Sequence, residues 1–323
     1  MNSKDTSLDP NNIVPPDAET AEDKISDKWT KALNNNAIDA ISRVRTKKKH
    51  VLANIDISKN TSITVDPETH LTDATNQFLN AIIVLWNQTP GHENNYVVGI
   101  NLLDYMKLKG IEDTPNNRKN TSRRIKQLSA NIYTVSVKTL LKNNKGREFN
   151  YDARILQSKA VARDGNSYLL KLTDDFFNAM VTAAYVMPIP IKLLRLDTSR
   201  YKYTWRIGYY LTRYQKMVIQ HNHPQEDVLE SITDMNTLLG KIDILNQKGR
   251  NVYDRIIKRV IRALDQLSHE LQLFDYYITD THGAKITYFK ELPLDEFKTY
   301  KLHVKWRDYP KDWVPLAGRN NNH

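Results

Sequence analysis

The chain has 323 residues, 40% hydrophobic and 26% charged, with no cysteine, a formal net charge of +10 and a pI near 9.4. That length accommodates two ordinary domains plus tails, and the absence of cysteine excludes disulfides and thiolate metal sites. The basic surplus favours a polyanionic partner, nucleic acid before membrane. Apolar runs such as AIIVLW (81–86) are far too short to span a bilayer. No signal-peptide core opens the sequence, so a cytoplasmic location is expected.

Residues 1–72 read mostly as a disordered tail and linker: the first 28 are polar, acidic and Pro-containing. Within that stretch Trp29 to Ile41 suggests a weak helix. RVRTKKKH (43–50) is a dense basic run, and 56–70 has strand propensity suited to a linker or an edge strand.

A first domain is expected over 73–186. ATNQFLNAIIVLWNQ (74–88) has helical spacing with Phe78, Ile82, Leu85 and Trp86 inward. A second helix over Ile100 to Lys109 closes at Gly110, a natural left-handed cap. Thr114-Pro115 restarts the chain as N-cap and first-turn proline. The third helix, Asn116 to Asn131, turns Ile125, Leu128 and Ile132 inward and carries Arg118, Lys119, Arg123, Arg124 and Lys126 elsewhere. Strand-like runs follow at 132–141, 147–157 and 167–172, separated by turn residues that include Lys145 and precede Arg147. Over Pro115 to Arg163 there are twelve basic and two acidic residues, a net of +10 equal to the surplus of the whole chain. So concentrated a charge argues for an anion-facing surface.

Asp174 to Tyr185 reads as a closing helix, and 187–199 (MPIPIKLLRLDTS) as an extended linker. The second domain, 200–323, opens with an amphipathic helix over 200–218 whose apolar face is Tyr203, Ile207, Tyr210, Leu211, Tyr214 and Val218. A short helix at 232–239 follows, closed by Gly240. Then NVYDRIIKRVIRALDQLSHELQLF (251–274) places Val252, Ile256, Val260, Leu264, Leu267 and Leu271 on one stripe. Arg255, Lys258, Arg259 and Arg262 lie off the stripe, and with Arg250 they give Gly249 to Arg262 five basic residues against one acid. Such a face also occurs on helices that are merely solvated; here it is almost purely basic and repeats an earlier arrangement. The run YYITDTHGAKITYF predicts a β-hairpin around His282-Gly283, with Lys285 on it. In LHVKWRDYPKDWVPL, Trp306, Tyr309 and Trp313 alternate with basic residues; such aromatics can stack on bases, and docking on the domain is the favoured reading.

The expected fold is therefore α+β, mainly helical: two tandem winged helix-turn-helix domains behind a disordered N-terminal tail. Each third helix is the candidate for the major groove.

Enzyme signatures are missing. Gly240-Lys241 lacks the rest of a phosphate-binding loop, and GxSxG and HExxH do not occur. His221-Asn222-His223 is the one pattern suggestive of a metal-dependent nicking enzyme, but its middle residue is polar and it precedes Pro224 in a predicted loop. No catalytic residue, metal or cofactor is expected.

RLDTSRYKYTWRIGYYLTRY (195–214) and YDRIIKRVIRALDQLSHELQLFDYYI (253–278), with the hairpin ending KITYF, resemble the second domain of the tandem winged-helix replication initiators of iteron-type plasmids and related mobile elements. The first domain agrees with that family in element order only. The resemblance implies a sequence-specific double-stranded DNA binder on directly repeated origin sites. It also implies wings on the backbone, a homodimer formed through the first domain, and recruitment of a host helicase or initiator, without catalysis. The DNA-binding candidates are Arg118, Lys119, Arg123, Arg124, Lys126, Lys145, Arg147, Arg250, Arg255, Lys258, Arg259, Arg262 and Lys285. A winged-helix transcriptional regulator is the alternative, and a nicking enzyme the lesser one.

Overall fold

The computed structural model describes residues 28–34, 38, 41, 53–58, 61–65, 71–142, 147–162, 165–182, 185–221, 229–242, 244, 253–290 and 292–310. Three strands come first: β1 (Trp29–Asn34), β2 (Ala53–Ser58) and β3 (Thr61–Val65). Then follow α1 (Asp73–Gln88), β4 (Val97–Asn101), α2 (Leu102–Lys109) and α3 (Pro115–Tyr133). The hairpin β5 (Val135–Lys142) and β6 (Glu148–Arg154) precedes β7 (Leu156–Val161), β8 (Ser167–Leu172) and α4 (Asp174–Thr182). Next are β9 (Tyr185–Pro190), α5 (Ile191–Arg195), α6 (Lys202–His221), β10 (Glu230–Asp234) and α7 (Met235–Lys241). A helix over 253–270 consists of α8 (Lys258–Asp265) between π-helical turns Tyr253–Ile257 and Gln266–Glu270. The chain continues through β11 (Phe274–Thr279), α9 (Leu294–Thr299) and β12 (Lys301–Trp306).

One order of elements occurs twice. Helix, strand, helix, basic helix and two further strands run through α1, β4, α2, α3, β7 and β8. They run again through α6, β10, α7, α8, β11 and β12. Each trio of strands forms an antiparallel sheet with its last strand central: β4-β8-β7 and β10-β12-β11. The hairpin β5–β6 instead joins β2 and β3 in a four-stranded sheet, order β2-β3-β5-β6.

Local chemistry accounts for the turn between α2 and α3. Gly110 takes φ +62 beyond the last carbonyls of α2, a conformation without penalty only for glycine. Thr114 accepts from the Asn117 N–H at 3.2 Å, and Pro115 opens α3 where its missing N–H costs nothing. Ile125, Leu128 and Ile132 are buried as their spacing predicts. So are Ile256, Val260, Leu264 and Leu267 on the second basic helix, while Leu271 is half-buried and Val252 lies outside the described residues.

The structure corrects several expectations. Trp29 to Asn34 is a strand and no helix, whereas Ile38 and Ile41, within the same expected helix, are helical; β2 and β3 are further strands among the described residues of 1–72. β1 pairs along its whole length with β9, and Trp29 packs against Trp306 and Tyr309 with ring centroids 5.8 and 5.2 Å apart. The stretch 187–199 is not extended throughout: it passes from β9 into α5, and Met187, Ile189, Ile191, Leu193 and Leu194 are fully buried. Pro188 and Pro190 fit there because a two-stranded sheet leaves one side of β9 without a ladder. The run 147–157 bends at fully buried Ile155 and divides between two sheets. The helix expected at 232–239 begins as β10, with Ile232 turned to solvent. β11 pairs with β12; towards the expected hairpin partner it makes one bridge, Thr279 to Lys285. The deciding feature is burial, since Leu302, Val304 and Trp306 all reach the core from β12 while Tyr288 is exposed. The terminal aromatics dock as favoured: Trp306 and Tyr309 are buried, and Trp313 lies outside the described residues.

Polar contacts join the two six-element units to each other and to the segments between and before them. Arg206 on α6 forks onto Asp73 on α1 at 2.8 and 3.1 Å, both side chains nearly out of contact with solvent, and also donates to Ile242 O. Gln77 donates to Leu193 O and Leu196 O at 3.0 and 3.1 Å. Asn34 on β1 donates to Tyr209 OH at 2.6 Å. Removing one member of a buried pair strands the other charge. Arg206→Ala should therefore destabilise the fold by about 3 kcal/mol, read as a lowered urea midpoint. The joint replacement of Asp73 and Arg206 by apolar residues of similar size should recover most of that loss.

Candidate nucleic-acid interface

Both basic helices present their cations outward. On α3, Arg118, Lys119, Arg123, Arg124 and Lys126 are exposed, and so are Arg255, Lys258, Arg259 and Arg262 on the 253–270 helix. Arg147, at the entry to β6, and Lys285, after β11, are exposed as well. Lys145 and Arg250 lie outside the described residues.

These cations are not equivalent. Arg118 forks onto Asp113 in the turn before α3 at 2.5 and 2.7 Å, and the bond holds the Asp113 carboxyl below its ordinary range. Lys258 stands 3.5 Å from Asp254, one turn back. Exposed pairs of this kind contribute little and exchange readily for another anion. Arg259 lies over the Tyr203 ring at 6.0 Å, and Lys285 over Tyr277 at 4.5 Å, so each approaches an aromatic face. Arg124 is exposed on α3, and its charge acts on Tyr105, Lys109 and Asp197.

Two cations missed from the sequence belong beside α3. Arg154 and Lys159 flank the bend at Ile155, with the Tyr133 ring 6.0 and 5.7 Å away. Their signal was present in the basic surplus of 115–163; what hid Arg154 was the reading of 147–157 as one strand, and Lys159 fell in no expected element.

Lys109, at the end of α2, points the other way. Part of its stem is exposed, but its ammonium is enclosed and donates to Gln77 Oε1 and Leu194 O. Burial lowers its pKa to about 7, with Arg124 adding to the shift and Asp197 opposing it. Among the described residues no group of three or more His, Cys, Asp or Glu side chains could hold a metal, and no helix is long and apolar enough to cross a membrane. The His221-Asn222-His223 motif begins at the last residue of α6, and its side chains lie outside the described residues.

No family model and no curated protein matches the chain. Among solved structures it is similar to the Pi initiator protein in complex with iteron DNA, at 12% identity and a TM-score of 0.51, covering 88% of this chain and 100% of that one. It is also similar to domains 2 and 3 of RctB, at 15% identity and a TM-score of 0.49, over 84% of this chain and 96% of that one. At such identities the likeness to the Pi initiator is one of fold. The α+β class expected from the sequence stands, and the chain has its fold in common with the Pi initiator protein.

The folded pKa of Lys109 lies below its ordinary value of 10.5, so the unfolded chain binds the proton more tightly and stability falls as pH falls from there to about 7. Between about pH 7.5 and 9.5 the denaturant midpoint should rise with pH. Lys109→Met should flatten that slope; an unaltered slope would mean another group titrates.

Proposed function

We propose that this chain is a sequence-specific double-stranded DNA-binding replication initiator of a plasmid or mobile element, built of two tandem winged-helix domains that bind repeated origin sites. The carrying observation is the twofold recurrence of one element order, each time with an outward-facing basic third helix. Basic helices on separate sheets suit two successive major-groove contacts, and the strand pairs beside them suit backbone contacts. The fold shared with a Pi initiator solved on iteron DNA supports the same reading. In this reading Arg255, Lys258, Arg259 and Arg262 meet guanine edges or phosphates from the second domain. Lys119, Arg123 and Lys126 do so from the first, joined by Arg118, Arg124, Lys145, Arg147, Arg250 and Lys285 along the backbone. The protein acts in the cytoplasm without catalysis, as a homodimer in one of its states, and hands the opened origin to a host helicase or initiator.

A transcriptional regulator would use the same chemistry at a single operator. The doubled architecture favours the initiator, since one winged helix with a ligand or dimer domain suffices for a regulator. Footprinting on the DNA flanking the gene, at two salt concentrations with competitor, separates the two: regularly spaced direct repeats support the initiator, and one operator-like footprint supports the regulator. A covalent protein–DNA adduct formed with Mg2+ or Mn2+ would instead make the chain a nicking enzyme.

Neutralising Arg255, Arg259 and Arg262 together should weaken binding and flatten the dependence of log K on log salt by about one unit for each phosphate no longer neutralised. Titrations at several salt concentrations measure this, and an unchanged slope would put these side chains away from the DNA.

A further inference from the structure

The outward side of α3 carries amides as well as cations. Its core contacts are made by Thr121, Ile125, Leu128, Ser129 and Ile132. Opposite them, at spacings of three and four, stand Asn116, Lys119, Asn120, Arg123 and Gln127, all exposed. Asn120 Nδ2 donates to Asn116 Oδ1 at 3.3 Å, so the two amides lie side by side. That bond leaves Asn120 Oδ1 as an acceptor and Asn116 Nδ2 as a donor outside the pair. Adenine presents the complementary set in the major groove, an N6 donor beside an N7 acceptor. Residues at the N-terminal end of a recognition helix meet base edges, and both asparagines lie in the first two turns of a helix that begins at Pro115. Exposed asparagine also weakens a helix relative to alanine, so folding alone gives no reason for the pair.

The second basic helix has no such group. Between 253 and 270 the one amide side chain is Gln266, which is buried and accepts from Thr204 Oγ1 at 2.5 Å. Its outward cations suit guanine edges and phosphates.

We propose that Asn116 and Asn120 together read an adenine in the target duplex, making α3 the A·T-specific element while α8 contributes guanine or backbone contacts. The two basic helices then read different bases, so the site has a direction and is not a repeat of one half-site. This rests on the duplex-binding reading above.

The test uses the full chain. Duplexes are selected from a random library with the wild type, and each adenine of the selected motif is replaced in turn by 7-deazaadenine, which lacks N7. Wild type should lose about 5- to 150-fold in affinity at one adenine. N116A/N120A should show a comparable loss on the natural duplex and indifference to the change at that adenine, with the rest of the motif still preferred and its circular dichroism unaltered. Asn116→Asp, which keeps size but exchanges the donor aimed at N7 for an acceptor, should lose the same contrast. A variant that keeps full affinity and the same 7-deazaadenine sensitivity overturns the assignment, as does a motif whose adenines are all indifferent. Failure of the wild type to select any motif overturns the duplex-reading function itself.

Discussion

The buried pair between Asp73 and Arg206 is the contact on which the placement of both basic helices depends. α3 belongs to a sheet and core set by α1, α8 to those set by α6, and this pair joins α1 to α6 directly. A buried ion pair adds little net stability, but its attraction survives desolvation only in good geometry, so it constrains orientation more than it strengthens the fold. Here the geometry is a two-pronged fork with a third guanidinium bond to Ile242 O. Around it the junction is closed by Gln77 reaching the carbonyls of Leu193 and Leu196 and by β1 laid against β9. A strand from outside both six-element units thus completes the seam between them.

α5, only five residues long, carries that constraint to the helix ends. Arg195 lies across Gly110 and donates to Leu108 O at 3.3 Å, and a Cβ on Gly110 would meet the Arg195 Cδ at 2.9 Å. On its other side Leu193 packs where α6 has Gly208: a Cβ there would come within 2.7 Å of Leu193 and 2.9 Å of Leu267. Leu267 belongs to the end of the second basic helix, and Lys192 donates to Leu271 O just beyond it at 3.1 Å. One short buried helix therefore touches the turn that launches α3 and the end of the 253–270 helix. Close-packed contacts of this kind transmit displacement, because they leave no volume in which to absorb it.

The legible parts of this fold were those settled by neighbours in sequence. Gly110, Thr114 and Pro115 mark a helix break by conformation and capping alone, and the stripes of α3 and the 253–270 helix declare their buried faces by period. What was not legible depends on partners far along the chain. Trp29 to Asn34 has no local reason to be a strand; it becomes one because β9 offers an edge and Trp306 and Tyr309, near the other end of the chain, offer a socket. The apolar alternation in MPIPIK was visible, but its prolines read as linker punctuation because the burial around it comes from both units. Likewise β11 takes β12 as its partner across α9, since core burial outweighs proximity in the chain. At the candidate interface the cations were legible by type and face, whereas their differences in partner were not: Arg118 is held by Asp113 in the turn before α3, and Arg259 lies over the ring of Tyr203 from α6.

Those differences connect the outer face to the seam. Arg118 and Lys258 rest on exposed aspartates, and such pairs can be exchanged for phosphates at small cost. Arg124 is different, because its charge helps to hold the Lys109 pKa down, and Lys109 is bonded to Gln77 and to the α5 carbonyl of Leu194. Under the proposed function, a phosphate brought beside Arg124 would offset its repulsion of Lys109 and favour the charged ammonium, strengthening its bonds to two acceptors of the junction.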